Sequence, residues 1–237
     1  MCGRLILTAS PEELAEMFGL GELEPKPRPR RYNVAPTQMI PVVRVANGKR
    51  ELADLRWGFI PSWSADPPST GFVNARAETA STKPAFRNAF RTRRCLVPAN
   101  GFFEWKHVGK QKYPYLIRSA GGGLFAYAGL WEPWTGPDGP IETVAILTVP
   151  ANDLVRPLHD RMPAILPEER FTEWLDPCES SPARLLPLLV PYPIEKMESW
   201  PVSDRVNGVA ADDPALIEPI APPPRAARVQ PTLFDID

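Results

Sequence analysis

Met1-Cys2-Gly3-Arg4-Leu5-Ile6-Leu7 opens the chain, and its two halves decide how the rest is read. Leu5-Ile6-Leu7 is an apolar run with the length of a short buried strand, so the residues before it are anchored in the fold. Cys2 stands where a cysteine can come to carry a free α-amine. Methionine aminopeptidases remove Met1 when the next side chain is small, and the mature chain would then begin with a 1,2-aminothiol. An unperturbed α-amine titrates at about 7.7–8.0 and a thiol at about 8.5, so both are partly unprotonated near neutral pH. Such an amine attacks an aldehyde to give a Schiff base, and the thiol then closes on the same carbon as a five-membered thiazolidine. An internal cysteine cannot do this, because its nitrogen is an amide. The alternative reading is an ordinary residue near a frayed terminus.

Working outward, Ser10-Pro11-Glu12-Glu13 is a capping box with proline at the first helical position and predicts a helix to about Phe18. Pro25-Lys26-Pro27-Arg28-Pro29-Arg30-Arg31 is a proline-stiffened basic loop. Ile40 to Val45 and Glu51 to Phe59 read as strands, with Asn47-Gly48 as the hairpin signal between them. Lys83 to Arg94 carries five basic and no acidic residues. Phe86 and Phe90 share one helical face there and Arg87, Arg91 and Arg94 another, which predicts a docked helix presenting arginines to solvent or to phosphates. Cys95 to Trp105 reads as one buried strand, and Tyr113 to Ser119, Leu124 to Trp131 and Ile141 to Val149 as further strands. Ala151 to Val155 predicts a short helix, Ala164-Ile165-Leu166 a strand, Pro167 to Leu175 a helix, Pro182 to Leu189 another, and the stretch after Ser203 a last strand or coil.

Composition bounds the class. The chain has 237 residues, 43% hydrophobic and 23% charged, as in a soluble globular protein. A net charge of -1 excludes a broadly basic protein, so nucleic-acid binding would need a local patch. Cys2, Cys95 and Cys178 are odd in number and widely spaced, which argues against a disulfide framework; Cys95 and Cys178 read as structural. With His107 and His159 they show no metal-ligand spacing, so neither a metal nor another cofactor is expected. No secretory signal or membrane-length apolar run is visible, and the expectation is a cytoplasmic monomer. Thirty-one prolines imply short strands and many turns.

Several side chains stand out. Glu104 lies among Phe102, Phe103 and Trp105; burial would raise its pKa toward acid–base use, whereas strand alternation would point it to solvent. His159, with Asp160 and Arg161 beside it, is either structural or an acid–base group, while His107 sits by an exposed turn. Trp57 fits the core. Trp63 fits the surface, where an aromatic beside basic residues can stack on unpaired bases.

Five ordered segments then resemble the SRAP (SOS response-associated peptidase) family: Met-Cys-Gly-Arg at the start, Arg-Tyr-Asn-Val-Ala-Pro at 31–36, Asn-Ala-Arg-Ala-Glu-Thr at 74–79, Gly-Phe-Phe-Glu-Trp at 101–105 and His-Asp-Arg-Met-Pro at 159–163. The resemblance implies a single α+β domain over about 1–220, with a partly open, barrel-like β core and short peripheral helices. It also implies capture of abasic sites in single-stranded DNA as a reversible covalent crosslink that shields the lesion at replication sites on the nucleoid. It makes Cys2 the nucleophile and Asn74 the residue that positions the terminus. Glu104 becomes the acid–base for sugar opening and crosslink reversal, and His159 the helper of Schiff-base chemistry. Arg4, Asn33, Arg76 and Trp63 become the DNA contacts.

Two rival classes stay open: an N-terminal-nucleophile peptidase or amidohydrolase, and a non-catalytic single-strand-binding module. At the other end, 221–237 reads as a flexible tail. Its Gln230-Pro231-Thr232-Leu233-Phe234 resembles the bacterial sliding-clamp-binding pentapeptide, with Gln230, Leu233 and Phe234 as the contacts.

Overall fold

Short strands joined by tight turns dominate the computed structural model, as the proline content predicts; residues 2–21 and 28–222 are described. In chain order they form β1 (Leu5–Leu7), α1 (Pro11–Phe18), β2 (Arg31–Val34), β3 (Met39–Ala46), β4 (Lys49–Trp57), β5 (Asn74–Arg76), α2 (Ala77–Ala80) and α3 (Arg87–Thr92). Then come β6 (Arg94–Ala99), β7 (Gly101–Val108), β8 (Gln111–Ser119), β9 (Phe125–Gly136), β10 (Gly139–Pro150), β11 (Arg161–Pro163), α4 (Phe171–Leu175), α5 (Pro182–Leu185) and β12 (Met197–Pro201). The Ser10 hydroxyl accepts from Glu13 N while the Glu13 carboxylate accepts from Ser10 N, so the capping box starts α1 where the sequence puts it. Asn47 and Gly48 both take positive φ, 51° and 73°, the pair of left-handed residues that a two-residue hairpin needs to match strand twist.

Five strands close on themselves: β10 pairs with β4, β4 with β3, β3 with β6, β6 with β9, and β9 again with β10. Two seams are thin. The β3–β6 seam rests on Val43 opposite Leu96, and the β4–β10 seam on Thr143 opposite Arg56 and Val144 opposite Trp57. The expected α+β class with a barrel-like core is therefore what forms; the barrel is closed rather than partly open, with those two seams its thinnest. A second sheet, in the order β12-β8-β7-β1-β2, packs beside the barrel, and β5 lies along β10. Trp57, Tyr127, Phe90, Phe102, Phe125 and Trp174 fill the shared core.

Sequence periodicity misread several places. Residues 95–105 are two strands in two sheets, because the chain turns at Asn100: its Oδ1 accepts from Thr8 N (2.7 Å) and Ala9 N (3.1 Å). Gly101 follows where a Cβ would lie 2.7 Å from Ile117 O, so no other residue lets β8 approach β7 there. The helix in the basic stretch is only α3, and Arg94 is not presented at all. It is 5% exposed, and its guanidinium donates to the carbonyls of Phe90, Arg91, Trp174, Asp176 and Glu179. Residues 151–155 form turns rather than a helix, β11 precedes the apolar 164–166 run, and the last strand, β12, precedes Ser203. Cys95 is buried, but Cys178 is exposed and does not serve the core.

Candidate active site

β1 lies between β2 and β7, with Leu5 opposite both Val34 and Phe102, and this two-sided pairing carries residues 2–4 to the junction of sheet and barrel. Cys2 is 0% exposed there. Its carbonyl accepts a 2.9 Å hydrogen bond from Asn74 Nδ2, and its sulfur donates to Arg4 O across 3.9 Å. Asn74 opens β5 opposite Ile146 of β10, so a barrel strand fixes the amide that holds the terminus. Asn74 Oδ1 is buried without a hydrogen-bond partner among the described residues.

Glu104 projects from β7 and is 3% exposed, so burial rather than strand alternation to solvent describes it. Burial pushes its carboxyl above the usual range, the amino-terminal charge pulls it down, and Asp160 raises it again. Burial also pushes the Cys2 thiol well up, with the Glu104 carboxylate adding to the rise and the terminal charge opposing it. His159 is held below its ordinary value by burial first and then by the same terminal charge, against Asp160. The Glu104 carboxylate acts on Cys2, and Asp160, the neighbour of His159, acts on Glu104, although these residues are far apart in sequence. They form one cluster.

Two contacts at His159 Nδ1 belong to different protonation states. The nitrogen lies 2.9 Å from Arg161 N, whose N–H it can accept only when unprotonated, and 2.7 Å from Asp160 Oδ1, to which it can donate only when protonated. The depressed pKa favours the neutral ring, with Nδ1 accepting from Arg161 N and Nε2 carrying the proton. Arg161 itself was not singled out from sequence. Its guanidinium donates to both carboxylate oxygens of Glu78 (2.6 and 2.9 Å) and to Thr148 O, tying β11 to β10 and to α2. That hydrogen-bonded pair lowers the Glu78 carboxyl. Both residues lie inside recognised segments, 159–163 and 74–79, and that is the signal that could have found them.

The proposed DNA-side residues divide into two groups. Arg76 is exposed and, with Trp63, Phe72, Asn74, Lys83 and Phe86, lines an open cleft of about 560 Å³. Asn74 therefore faces both this cleft and Cys2. Trp63 is 68% exposed, whereas Trp57 is fully buried and donates to Val73 O. Arg4 and Asn33 lie away from the cleft, under a strap formed by residues 206–212. Asn33 is 0% exposed; its Nδ2 donates to the carbonyls of Val206, Gly208 and Ala211, and its Oδ1 accepts from Arg4 Nη1. With its amide spent this way, Asn33 acts through Arg4 and presents no free group to a strand. Gln230, Leu233 and Phe234, and part of the basic loop, lie outside the described residues. Arg28 and Arg31 pair with Asp54 and Asp212. His107 lies exposed near the β7–β8 turn. No group of His, Cys, Asp and Glu with metal-holding geometry occurs among the described residues, and no helix there is long and apolar enough to cross a membrane.

Comparison with known proteins gives a consistent picture. The profile of the SOS response associated peptidase (SRAP) family matches residues 1–209. The chain is 41% identical over 223 residues to the abasic site processing protein YoqW of Bacillus subtilis (strain 168), covering 92% of this chain and 99% of that one. It is 34% identical over 200 residues to the abasic site processing protein HMCES of Gallus gallus, covering 73% of this chain and 59% of that longer one. The crystal structure of a protein from Bacteroides thetaiotaomicron superposes with a TM-score of 0.82 at 28% identity, covering 93% of this chain and all of that one.

Proposed function

The chain belongs to the SOS response associated peptidase (SRAP) family, and from that premise we propose that it recognises abasic sites in single-stranded DNA and captures them through Cys2 after removal of Met1. The abasic-site-processing names of its relatives support the substrate class. The observation that carries the chemistry is the hydrogen bond from Asn74 to the Cys2 carbonyl, made in the buried cluster where Glu104 acts on the Cys2 thiol and Asp160, next to His159, acts on Glu104. An aminothiol held there meets an opened deoxyribose in a fixed geometry, which is where most of the rate advantage of such a site arises.

The steps follow from the groups present. Glu104, protonated more readily than an ordinary carboxyl, delivers a proton to the ring oxygen as the sugar opens to its aldehyde. The α-amine adds to the aldehyde carbon, and loss of water, assisted by His159, gives the Schiff base. The thiol then adds across the C=N bond, so a C–S bond forms and nitrogen ends as a secondary amine. The resulting thiazolidine lacks the charge and lability of the imine, and the lesion is shielded from strand cleavage. Run backwards, the same proton transfers at Glu104 release the DNA. Arg76 and Trp63, which line the cleft beside Asn74, hold a flanking phosphate and base in this reading.

Incubating the protein with an abasic single-stranded oligonucleotide tests this. The expected result is a heat-stable species whose intact mass equals protein lacking Met1 plus DNA minus water, absent with undamaged DNA and with Cys2→Ala. Peptide turnover without such a species would instead support the peptidase alternative, and binding unchanged by Cys2→Ala would support a plain binding module. For the tail we propose clamp docking through Gln230, Leu233 and Phe234. Unchanged clamp binding by the full chain carrying Leu233→Ala and Phe234→Ala would remove that part.

A further inference from the structure

Tyr127 is a large, fully buried polar side chain of the barrel core that the chemistry above leaves unused. It sits on β9 opposite Val97, is 0% exposed, and its hydroxyl has no hydrogen-bond partner among the described residues. Its ring meets Phe102 edge-on at 6.2 Å and Phe125 at 6.0 Å, so packing locks its direction. Phe102 lies opposite Leu5, three residues after Cys2. On the other side, Gly129, two residues along the same face of β9, lies opposite Ile146, which lies opposite Asn74. Both lines of pairing run toward the segment that holds Cys2, and Cys2 is the charged group whose field reaches the phenol.

An orphaned buried hydroxyl is a net cost to folding that phenylalanine, with the same ring, would not incur. The cost makes sense where the partner is formed during a reaction. The Cys2 sulfur is such a partner: it is buried, and the hydrogen bond it makes to Arg4 O is one it donates, which offers nothing to a thiolate. We propose that the Tyr127 hydroxyl is a further catalytic group of the Cys2 centre, donating a hydrogen bond to the sulfur as it closes on the Schiff base. This rests on the capture reading above. In that step the sulfur lone pair forms the C–S bond, the C=N electron pair moves to nitrogen, and the thiol proton passes to the Glu104 carboxylate. The phenol keeps its proton throughout and only stabilises the negative charge that gathers on sulfur. Burial, and then the charge on Cys2, hold the phenol well above its ordinary pKa, so it remains a donor whenever the thiol ionises.

The test separates the two bonds of the thiazolidine. Wild type and Tyr127→Phe are mixed with the same abasic single-stranded oligonucleotide. Borohydride reduction reports the Schiff base; the reductant-free, heat-stable adduct reports ring closure. Thermal melting reports the fold. The expected result is a melting temperature equal to or above wild type and a Schiff base formed at the wild-type rate. The stable adduct is expected to form about tenfold or more slowly, the rate equivalent of one hydrogen bond to a charged group. Equal rates for both species would overturn the proposal, as would a parallel fall in both, which is what a packing defect gives. A wild-type protein that forms neither species would instead sink the capture reading itself, and the Tyr127 step with it.

Discussion

Asn74→Ala removes the 2.9 Å hydrogen bond from Nδ2 to the Cys2 carbonyl and leaves that carbonyl without its donor in a buried site. An unmet buried acceptor costs about 1–3 kcal/mol. The chain has two ways to absorb it. With the terminus still docked, the cost falls on global stability, at about 2–4 °C of melting temperature per kcal/mol for a domain of this size. With the terminus released, the melting temperature hardly moves and the cost appears as a smaller docked population, slowing capture by roughly 5- to 150-fold. Release of Cys2 alone is the cheaper route, because it precedes β1 and both the Leu5 pairings and the Arg4 bonds to the strap survive it. The expected outcome is therefore a large rate loss with a melting shift under about 2 °C. Asn74→Asp is the sharper variant: it has no N–H to give and sets a carboxylate oxygen against the carbonyl, so it should capture more slowly than the alanine. Single-turnover mixing of excess protein with abasic single-stranded DNA, read on denaturing gels beside thermal melts, measures both quantities. Capture by Asn74→Ala at the wild-type rate, or by Asn74→Asp faster than by the alanine, would refute the positioning argument.

Glu104 sets a pH dependence of stability with a definite sign. Its folded carboxyl titrates above the unfolded one, so the native state holds the extra proton between the two values; stability is fully present below the unfolded pKa and falls as pH rises through the folded one. Glu104→Gln should flatten melting temperature against pH above about 4.3, and parallel curves for the two proteins would contradict the burial argument. Arg94→Met leaves five carbonyls without their donor and should cost about 3 kcal/mol or more by urea denaturation, with no change in abasic-site capture by the fraction that remains folded. Trp63→Ala touches an exposed ring, so folding should change by less than about 0.5 kcal/mol. Affinity for undamaged single-stranded DNA should fall by about 1–3 kcal/mol in an anisotropy titration.

Legibility in the sequence tracked how local each signal was. The Ser10 box and the Asn47-Gly48 turn are complete within four residues, and both elements formed as read. The 95–105 strand failed because its break is made at a distance, by Asn100 reaching Thr8 and Ala9 and by Ile117 O crowding Gly101. Arg94 failed for a related reason: helical periodicity places it beside Arg87 and Arg91, but the carbonyls it serves include three, at 174, 176 and 179, that arrive eighty residues later. The site shows the same division. No spacing rule brings Cys2, Asn74, Glu104 and His159 together; they meet because β1, β5 and β7 and the turn before β11 converge where sheet and barrel join. Glu104 was legible as a candidate by its apolar neighbours alone, whereas its depth needed the packing of β7 against β1 and β8.

A nearly neutral chain can still hold a polyanion if its cations are unevenly neutralised, and the ion pairs here are distributed in that way. Arg28, Arg31, Arg44, Arg93, Arg118, Arg161 and Arg205 each lie within salt-bridge distance of a carboxylate. Arg4, two residues from Cys2, and Arg76, two residues from Asn74, are in no salt bridge among the described residues, as are Arg50, Arg56, Lys83, Arg87 and Arg91. Arg4 is instead held by neutral acceptors, Asn33 Oδ1 at 2.8 Å, Val206 O at 2.6 Å and Asn207 O at 3.1 Å, so its position is fixed while its charge is not cancelled. Asn33 and Asp212 make that possible: Asn33 gathers three strap carbonyls, and Asp212 accepts from Tyr32 N and Asn33 N while pairing with Arg31. The strap and Asn33 thus lock the Arg4 guanidinium in place without cancelling its charge. Single-stranded DNA binding should accordingly weaken with salt by only the few counterions that so small a patch displaces, about 0.7 in logarithmic slope per phosphate. Arg4→Gln, which keeps donors for the strap, should lower that slope without unfolding the chain. A slope unchanged by that substitution would place the phosphate contact elsewhere and leave Arg4 as a structural brace alone.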